Sequence, residues 1–281
     1  MATTPNSTSP LSQFSFQFYN RPGISWSTRQ KTEFIDELRA CASRCLDPIP
    51  DYQCLSYSPS SLDDKLIAVA RLGSSTGPIA AFFSSVILTV PSLETPTTTI
   101  PVLHTGLTIA VPEVRSLGLS VILGAHVLLH MLEMQPLGYW FTGLAEVSSN
   151  LVNLARYGHN VFPSPNISPS PSDMHLHIAR AIASSTQTRA KFSISPEAVF
   201  DEASFVFRGA NPPGSCFRKN SDDEQWHHRD KRFTSFYRKP LGVNEGNAVL
   251  VVGYILPSSI LDPIRKESRL HGVTTGTKAK L

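Results

Sequence analysis

The chain has 281 residues, 41% of them hydrophobic and 17% charged, with a formal net charge of +3 at pH 7. This composition supports a sizeable core and argues against extensive disorder. Basic residues are dispersed, which argues against a nucleic-acid partner, and no apolar run reaches the roughly 18 residues of a membrane span. Four scattered cysteines are too few for a disulfide scaffold, so we expect buried free thiols in a reducing compartment.

The first half of the chain predicts one strand, one helix and three further strands. The strand covers 14–20, where aromatic and polar residues alternate. The helix starts after a cap at Ser27 or Thr28, carries Phe34, Leu38, Cys41 and Cys45 on one face, and ends at the prolines that follow Asp47. The three strands are predicted at 65–73, 78–90 and 102–111.

The second half predicts a helix at 120–133, a strand at 138–147 and a helix at 148–160. A Pro/Ser loop at 163–173 precedes a helical segment at 174–187, a strand at 204–210, a polar insertion at 211–239 and a strand at 247–256. Only the strands at 102–111 and 138–147 are joined by a helical crossover long enough for parallel pairing. We therefore expect an α/β (α+β) fold with a mixed, mostly antiparallel sheet and one parallel pair at its centre.

The segment VPEVRSLGLS, residues 111–120, connects the strand at 102–111 to the helix that follows it. The first N–H groups of a helix are unpaired, and together with the helix dipole they attract anions. Gly118 permits close backbone approach, Ser120 is small, and Arg115 adds a charge suited to phosphate. The segment therefore predicts either a phosphate cradle or an ordinary connection packed through its leucines.

Two motifs resemble the GNAT-type N-acetyltransferase superfamily. The first is PEVRSLGLS, which is similar to the family's P-E-x-R-x-x-G-x-G/A loop in Pro112, Glu113, Arg115 and Gly118, with Ser120 in place of the last Gly/Ala. The second is NLVNLARYGHNVF, which keeps Asn150, Tyr157 and Phe162 of the family's N-x-x-A-x-x-x-Y-x-x-x-G-F pattern but has Asn153 and Val161 at two other positions. The resemblance covers roughly residues 14–162 and implies a GNAT-like sheet whose parallel pair splays apart, with helices on both faces.

The resemblance implies that acetyl-CoA, or another acyl-CoA, binds as co-substrate in the gap between the parallel strands, without a metal. Its pyrophosphate would contact Arg115 and the backbone N–H groups of Leu117, Gly118, Leu119 and Ser120. Asn150 would contact the pantetheine arm, and Tyr157 would protonate the departing thiolate as general acid. The acceptor would be a small-molecule or peptide amine that attacks the thioester directly.

Two residues are candidates for the general base. His104 lies on the strand that leads into the loop, and an ordinary histidine pKa near 6.5 suits proton abstraction. Its alternative role is that of a hydrogen-bonded core residue. Glu146, just after the next strand, is the rival base.

Other clusters carry weaker signals. His126 and His130 have the spacing of a zinc site but lack its glutamate, so we expect no metal. The charged segment at 222–233 predicts a solvated loop or a substrate lid. The terminal Ala279, Lys280 and Leu281 resemble a type 1 peroxisomal targeting signal, which implies a peroxisomal import receptor as partner, and otherwise a cytoplasmic location.

The domain prediction is a flexible N-terminus at 1–13, one GNAT-like acyltransferase domain at 14–262 and a flexible tail at 263–281. The function predicted first is acyl-CoA-dependent N-acyl transfer. Because fold does not determine function, two alternatives stay open. They are a GNAT-like module that binds a ligand or partner without transfer, and a different reaction on a small metabolite.

Overall fold

The computed structural model describes residues 10–95, 97–166, 170–243 and 245–259, and in this part the side chains of Asn153 and Tyr157 are not described. The chain forms nine strands and six α-helices within the described residues. In order they are β1 (Phe14–Asn20), α1 (Thr28–Ala42), β2 (Lys65–Leu72), β3 (Ile79–Pro91), β4 (Thr99–Ala110), α2 (Leu119–Met134), β5 (Tyr139–Ala145), α3 (Ser148–Tyr157), β6 (His159–Phe162), α4 (Asp173–Ser184), α5 (Thr186–Lys191), β7 (Val199–Asp201), β8 (Val206–Arg208), α6 (Lys231–Leu241) and β9 (Ala248–Ile255).

The strands form one sheet in the order β1-β2-β3-β4-β5-β9-β8-β7, and β6 also pairs with β9. The β4–β5 pair is parallel, and every other neighbouring pair in the described sheet is antiparallel. The helix α2 provides the crossover between β4 and β5. The predicted fold class, with its single parallel pair in the middle, is confirmed.

Helices cover both faces of the sheet. Consecutive strand residues point to opposite faces, and on β1 the Phe18 ring packs 5.0 Å from His130 of α2 while the neighbouring Tyr19 ring packs 4.7 Å from Phe34 of α1. The two helices therefore lie on opposite sides. A second apolar cluster joins α4 to β4, β8 and β9.

The first helix begins as predicted but ends early. Ser27 and Gln30 form a reciprocal capping box at its start. The helix ends at Ala42, before the prolines, and the Ser43 Oγ donates to the backbone carbonyl of Ala40 at 2.9 Å. A serine hydroxyl that bonds the local backbone competes with regular helical structure, which accounts for the earlier end.

The polar stretch at 211–239 contains a helix that sequence analysis did not predict. In α6, Phe233, Tyr237 and Leu241 are buried at a spacing of four residues. This spacing is the apolar face of an amphipathic helix, and it was readable in the sequence beneath the surrounding charge. The short strands β6 and β7 were also missed.

The four cysteines are free thiols in the structure. Among the described helices, none combines the length and the apolar character needed to cross a lipid bilayer.

Candidate functional site

The parallel strands β4 and β5 separate partway along their length. They are paired from Val102 opposite Trp140 to Thr105 opposite Gly143. Beyond these residues β4 continues beside β3 and β5 continues beside β9. The divergence opens a cleft of about 480 Å³ between residues 106–110 and 144–147.

A β-bulge marks the point of separation. Between the Phe83–Thr108 and Ser85–Thr105 pairs, β4 has two residues where β3 has one. One of the two is Gly106, where a Cβ would lie 2.1 Å from Oε1 of Gln53 and 2.8 Å from the backbone oxygen of Ser84. Only glycine therefore permits this close approach, and Gln53 itself has a left-handed backbone with φ of 47°.

The loop after β4 enters α2 through a short 3-10 helix, Pro112–Leu117, and a turn at Gly118 with φ of 72°. The first N–H groups of α2 that bond backward are those of Val121 and Ile122, both to the Gly118 carbonyl. The N–H groups of Leu119 and Ser120 come before this first turn and have no acceptor within the helix. They lie at the positive end of the helix dipole.

The Arg115 side chain lies at the end of β4. Its Nε donates to the Ala110 carbonyl at 3.2 Å and its guanidinium contacts the Cys45 sulfur at 3.4 Å. The residue is exposed on the rim of the cleft. A positive charge thus lines the same cleft as the first residues of α2, an arrangement suited to a phosphate.

The cleft brings together five of the predicted site residues: Arg115, Leu119, Ser120, Glu146 and Asn150. Leu117 closes the 3-10 helix and Gly118 forms the turn, and neither contributes to the cleft wall. His104 does not contribute to the wall either. Tyr157 is the last residue of α3, and its side chain lies outside the described residues.

The Glu146 side chain is buried with 7% exposure, although it borders the cleft. Its Oε2 accepts a hydrogen bond from the backbone N–H of Lys219 at 3.0 Å, and its Oε1 is buried without a hydrogen-bond partner among the described residues. Burial raises the pKa of Glu146 to about 8, against the opposing charges of Lys219 and Arg218. A carboxyl with this pKa exchanges a proton readily near neutral pH.

The His104 ring is fully buried, at a position where β4 and β5 are still paired. Its Nδ1 lies 2.9 Å from Thr142 Oγ1, and its face stacks on Phe192 with the centroids 3.6 Å apart. Burial, with the nearby Lys65 charge, lowers the pKa of His104 to about 3. The ring is therefore neutral at physiological pH and has the surroundings of a core histidine.

The polar insertion supplies cleft residues that were not among the predicted site residues: Cys216, Phe217, Lys219 and Trp226. The Phe217 ring lies 5.0 Å from Tyr52, which follows α1, and Ser148 Oγ donates to the Trp226 carbonyl at 3.1 Å. The charged segment at 222–233 thus touches the site at Trp226. In the sequence, Phe217 precedes this charged segment and Trp226 lies within it.

Within the described ranges, no group of three or more His, Cys, Asp and Glu side chains is placed to hold a metal ion. A second depression of about 540 Å³ beside α6 is open to solvent and is lined by charged residues such as the Arg238–Asp222 pair.

No family model matches the chain, and no curated protein matches it. The solved structures that match include NAA60 of Arabidopsis thaliana in complex with a bisubstrate analogue (13% identity, 47% of this chain and 75% of that chain, TM-score 0.33). They also include an aminoglycoside acetyltransferase from an uncultured soil metagenomic sample in complex with trehalose (12% identity, 44% of this chain and 73% of that chain, TM-score 0.31). A third is the GCN5-related glucosamine N-acetyltransferase region of a fungal multi-domain protein (15% identity, 46% of this chain and 13% of that chain, TM-score 0.32).

The topology of this chain itself defines its fold. The sheet has one parallel pair, that pair separates after Thr105 and Gly143, and the strand before the gap leads through a glycine turn into the crossover helix. These are the features that the two sequence motifs imply. The chain has a GNAT-like fold.

Proposed function

We propose that this protein is an acyl-CoA-dependent N-acyltransferase that uses acetyl-CoA and transfers the acyl group directly to an amine. The observation that carries the proposal is the cleft between β4 and β5. It has free helix N–H groups and Arg115 at one end and the buried, half-satisfied carboxyl of Glu146 in its wall. An anion-binding end and a proton-accepting group in one cleft are what thioester aminolysis requires.

The residues of the cleft fit the phosphates and the arm of coenzyme A. The N–H groups of Leu119 and Ser120, with Arg115, would hold the pyrophosphate. A Cβ at Gly118 would occupy open space next to these N–H groups, so the absence of a side chain leaves that space to the phosphate. Asn150, exposed in the first turn of α3 and on the cleft, would contact the pantetheine arm. When bound, the cofactor supplies the activated acyl group as a thioester.

Glu146 is our candidate for the general base. Its unpartnered Oε1 would accept a proton from the attacking amine, and the Lys219 N–H would hold the carboxyl in place through Oε2. His104 is less suited, because its depressed pKa makes it a weak base and its ring lies outside the cleft wall. Tyr157 stays the proposed general acid on the basis of the sequence motif.

Calorimetric titration with acetyl-CoA tests the proposal first. We expect micromolar binding to the wild type and about tenfold weaker binding to Arg115→Ala, since loss of one phosphate contact costs on the order of 1.4 kcal/mol. Thiol release with a panel of amines then tests transfer. Binding without any thiol release would leave a ligand-binding module, and absence of binding would refute the acyl-CoA assignment.

A further inference from the structure

The walls of the cleft differ in character along its length. At the loop end the wall carries Arg115 and the first residues of α2. Around the bulge and the end of β5 it carries aromatic side chains instead, from Tyr52, Phe192, Phe217 and Trp226. These four residues come from three segments of the chain: Tyr52 follows α1, Phe192 follows α5, and Phe217 and Trp226 belong to the insertion.

The aromatic side chains line the same cleft as Glu146. Tyr52 and Phe217 are in edge contact at 5.0 Å, and Phe192 is 4% exposed and fixed by stacking on His104. Trp226 is held through its own carbonyl by Ser148, two residues after Glu146. Flat apolar side chains of this kind prefer to pack against another ring.

The charge of the cleft restricts its ligand further. Glu146 is the only acidic residue in the described wall, whereas Arg115 and Lys219 are both basic. The Lys219 ammonium lies 5.3 Å from the Trp226 ring centre, at the aromatic end. A ligand with several ammonium groups would leave most of them without a carboxylate and close to a lysine, which is unfavourable in a partly desolvated site.

Resting on the proposed function, we propose that the acceptor is a primary monoamine attached to an aromatic ring by a short chain, and that the cleft disfavours polyamines and aminoglycosides. The ring would lie among Tyr52, Phe217 and Trp226, with the amine at Glu146 Oε1. The amine nitrogen forms a bond to the thioester carbonyl carbon, the carbon–sulfur bond breaks, one proton passes to Glu146, and the sulfur leaves as the thiolate and is protonated to the thiol. The products are the amide and free coenzyme A.

The test compares phenethylamine and tryptamine with butylamine, spermidine and kanamycin in a thiol-release assay with acetyl-CoA. We expect kcat/KM for the arylalkylamines to exceed that for the polycations by about tenfold or more, which corresponds to the net contribution of one aromatic contact. Phe217→Ala should lower kcat/KM for phenethylamine about tenfold and leave the affinity for acetyl-CoA unchanged. Phe236→Ala, which removes an exposed aromatic of α6 outside the cleft, is the matched control and should change neither value.

A charge variant keeps the proposal testable if Phe217→Ala fails to fold. Lys219→Glu retains the backbone N–H that holds Glu146 and gives the aromatic end a second carboxylate, so kcat/KM for spermidine should rise relative to phenethylamine. Three results would overturn the acceptor assignment while acetyl-CoA binding persists: a preference for polycations, insensitivity to both variants, or a preference for octanoyl-CoA with butylamine, which would place an acyl chain among the rings. Absence of acetyl-CoA binding would instead refute the proposed function.

Discussion

Glu146, which directly follows β5, and His104 of β4 are both buried ionisable residues, and burial shifts their pKa values in opposite directions. Loss of hydration disfavours the charged form of each group. The pKa of the Glu146 carboxyl is therefore raised to about 8, and the pKa of the His104 imidazole is lowered to about 3. The carboxyl is thereby poised to exchange protons near neutrality, whereas the imidazole is held neutral.

The first prediction concerns the pH dependence of transfer. If Glu146 is the base, kcat/KM rises with pH through about 8 and then levels off, once corrected for the free-amine fraction of the acceptor. Glu146→Gln removes this limb and lowers kcat by roughly two orders of magnitude. An unchanged limb in the variant, measured by thiol release, would exclude Glu146 from the role.

The same carboxyl predicts a stability difference. Its pKa is raised from 4.5 to about 8 on folding, so the native chain binds more protons than the unfolded chain between these values, and wild-type stability falls as pH rises through that window. Glu146→Gln should therefore be more stable than wild type at about pH 9 and lose this advantage toward about pH 5. Urea unfolding at both pH values measures it.

The buried His104 ring should make the stability of the protein fall as pH falls, the opposite direction to the effect of Glu146. The native chain holds this ring neutral down to about pH 3, whereas the unfolded ring protonates below 6.5, so stability falls as pH falls through this window. NMR of the ring should show a neutral His104 at about pH 5, below the ordinary histidine pKa near 6.5. A His104 signal that titrates near this ordinary pKa would contradict the burial.

At the scale of elements, the turn into α2 decides whether an anion has access to the helix start. Gly118→Ala introduces a Cβ at φ of 72° that meets no protein atom within 4 Å, so its stability cost is about 1 kcal/mol of backbone strain. The added methyl group stands beside the free N–H groups, and we expect acetyl-CoA to bind about tenfold more weakly. Gly73→Ala is the matched control, because Gly73 has φ of 75° and equally open surroundings in the β2–β3 turn. Equal affinity in both variants, by calorimetry, would remove the turn from the cofactor site.

The insertion is attached to the site through the start of α3. Ser148→Ala removes the hydroxyl that donates to the Trp226 carbonyl, at a cost of about 1 kcal/mol. We expect KM for the acceptor to rise severalfold while the affinity for acetyl-CoA is retained, because Trp226 belongs to the aromatic end. Ser149→Ala, one residue along the same turn, is the control. A change in cofactor affinity alone would show that the insertion serves the other end of the cleft.

At the scale of the whole molecule, the cleft combines segments that are far apart in the sequence. Tyr52 follows α1, Phe192 follows α5, and Phe217 and Trp226 belong to the insertion. The helices α4 and α5 lead the chain to Phe192, and the strands β7 and β8 that follow extend the sheet beyond β9. The part of the chain beyond Phe162, which lies outside the two motifs, thus supplies most of the aromatic wall.

Peroxisomal delivery through Ala279, Lys280 and Leu281 stays a prediction, because the tripeptide lies outside the described residues. A fluorescent tag fused before the N-terminus should give punctate peroxisomal signal, and the same tag fused after Leu281 should give cytosolic signal, since the receptor reads a free C-terminus. An identical distribution of both fusions would refute the targeting hypothesis.

Local patterns in the sequence determined the elements that surround the cleft. Alternation and helical spacing placed β1 to β5, α2 and α3 within a few residues of their observed bounds, and the crossover rule fixed the parallel pair. The helix α6 was missed because its apolar spacing is hidden in a charged run. The loop residues Arg115, Leu119 and Ser120 were also identifiable, because helix-start chemistry is local.

Only the tertiary structure reveals how different the environments of His104 and Glu146 are. His104 precedes Thr105, where β4 and β5 are still paired, so it lies under a closed sheet and against Phe192. Glu146 follows Gly143, beyond the point where the strands separate. Its carboxyl accepts a hydrogen bond from the Lys219 N–H, and the residue borders the cleft. The environment of an ionisable group depends on contacts made by distant segments, and neither Phe192 nor Lys219 is related to these strands by any sequence pattern. The sequence determined that the cleft exists, and long-range packing determined which of the two side chains faces it.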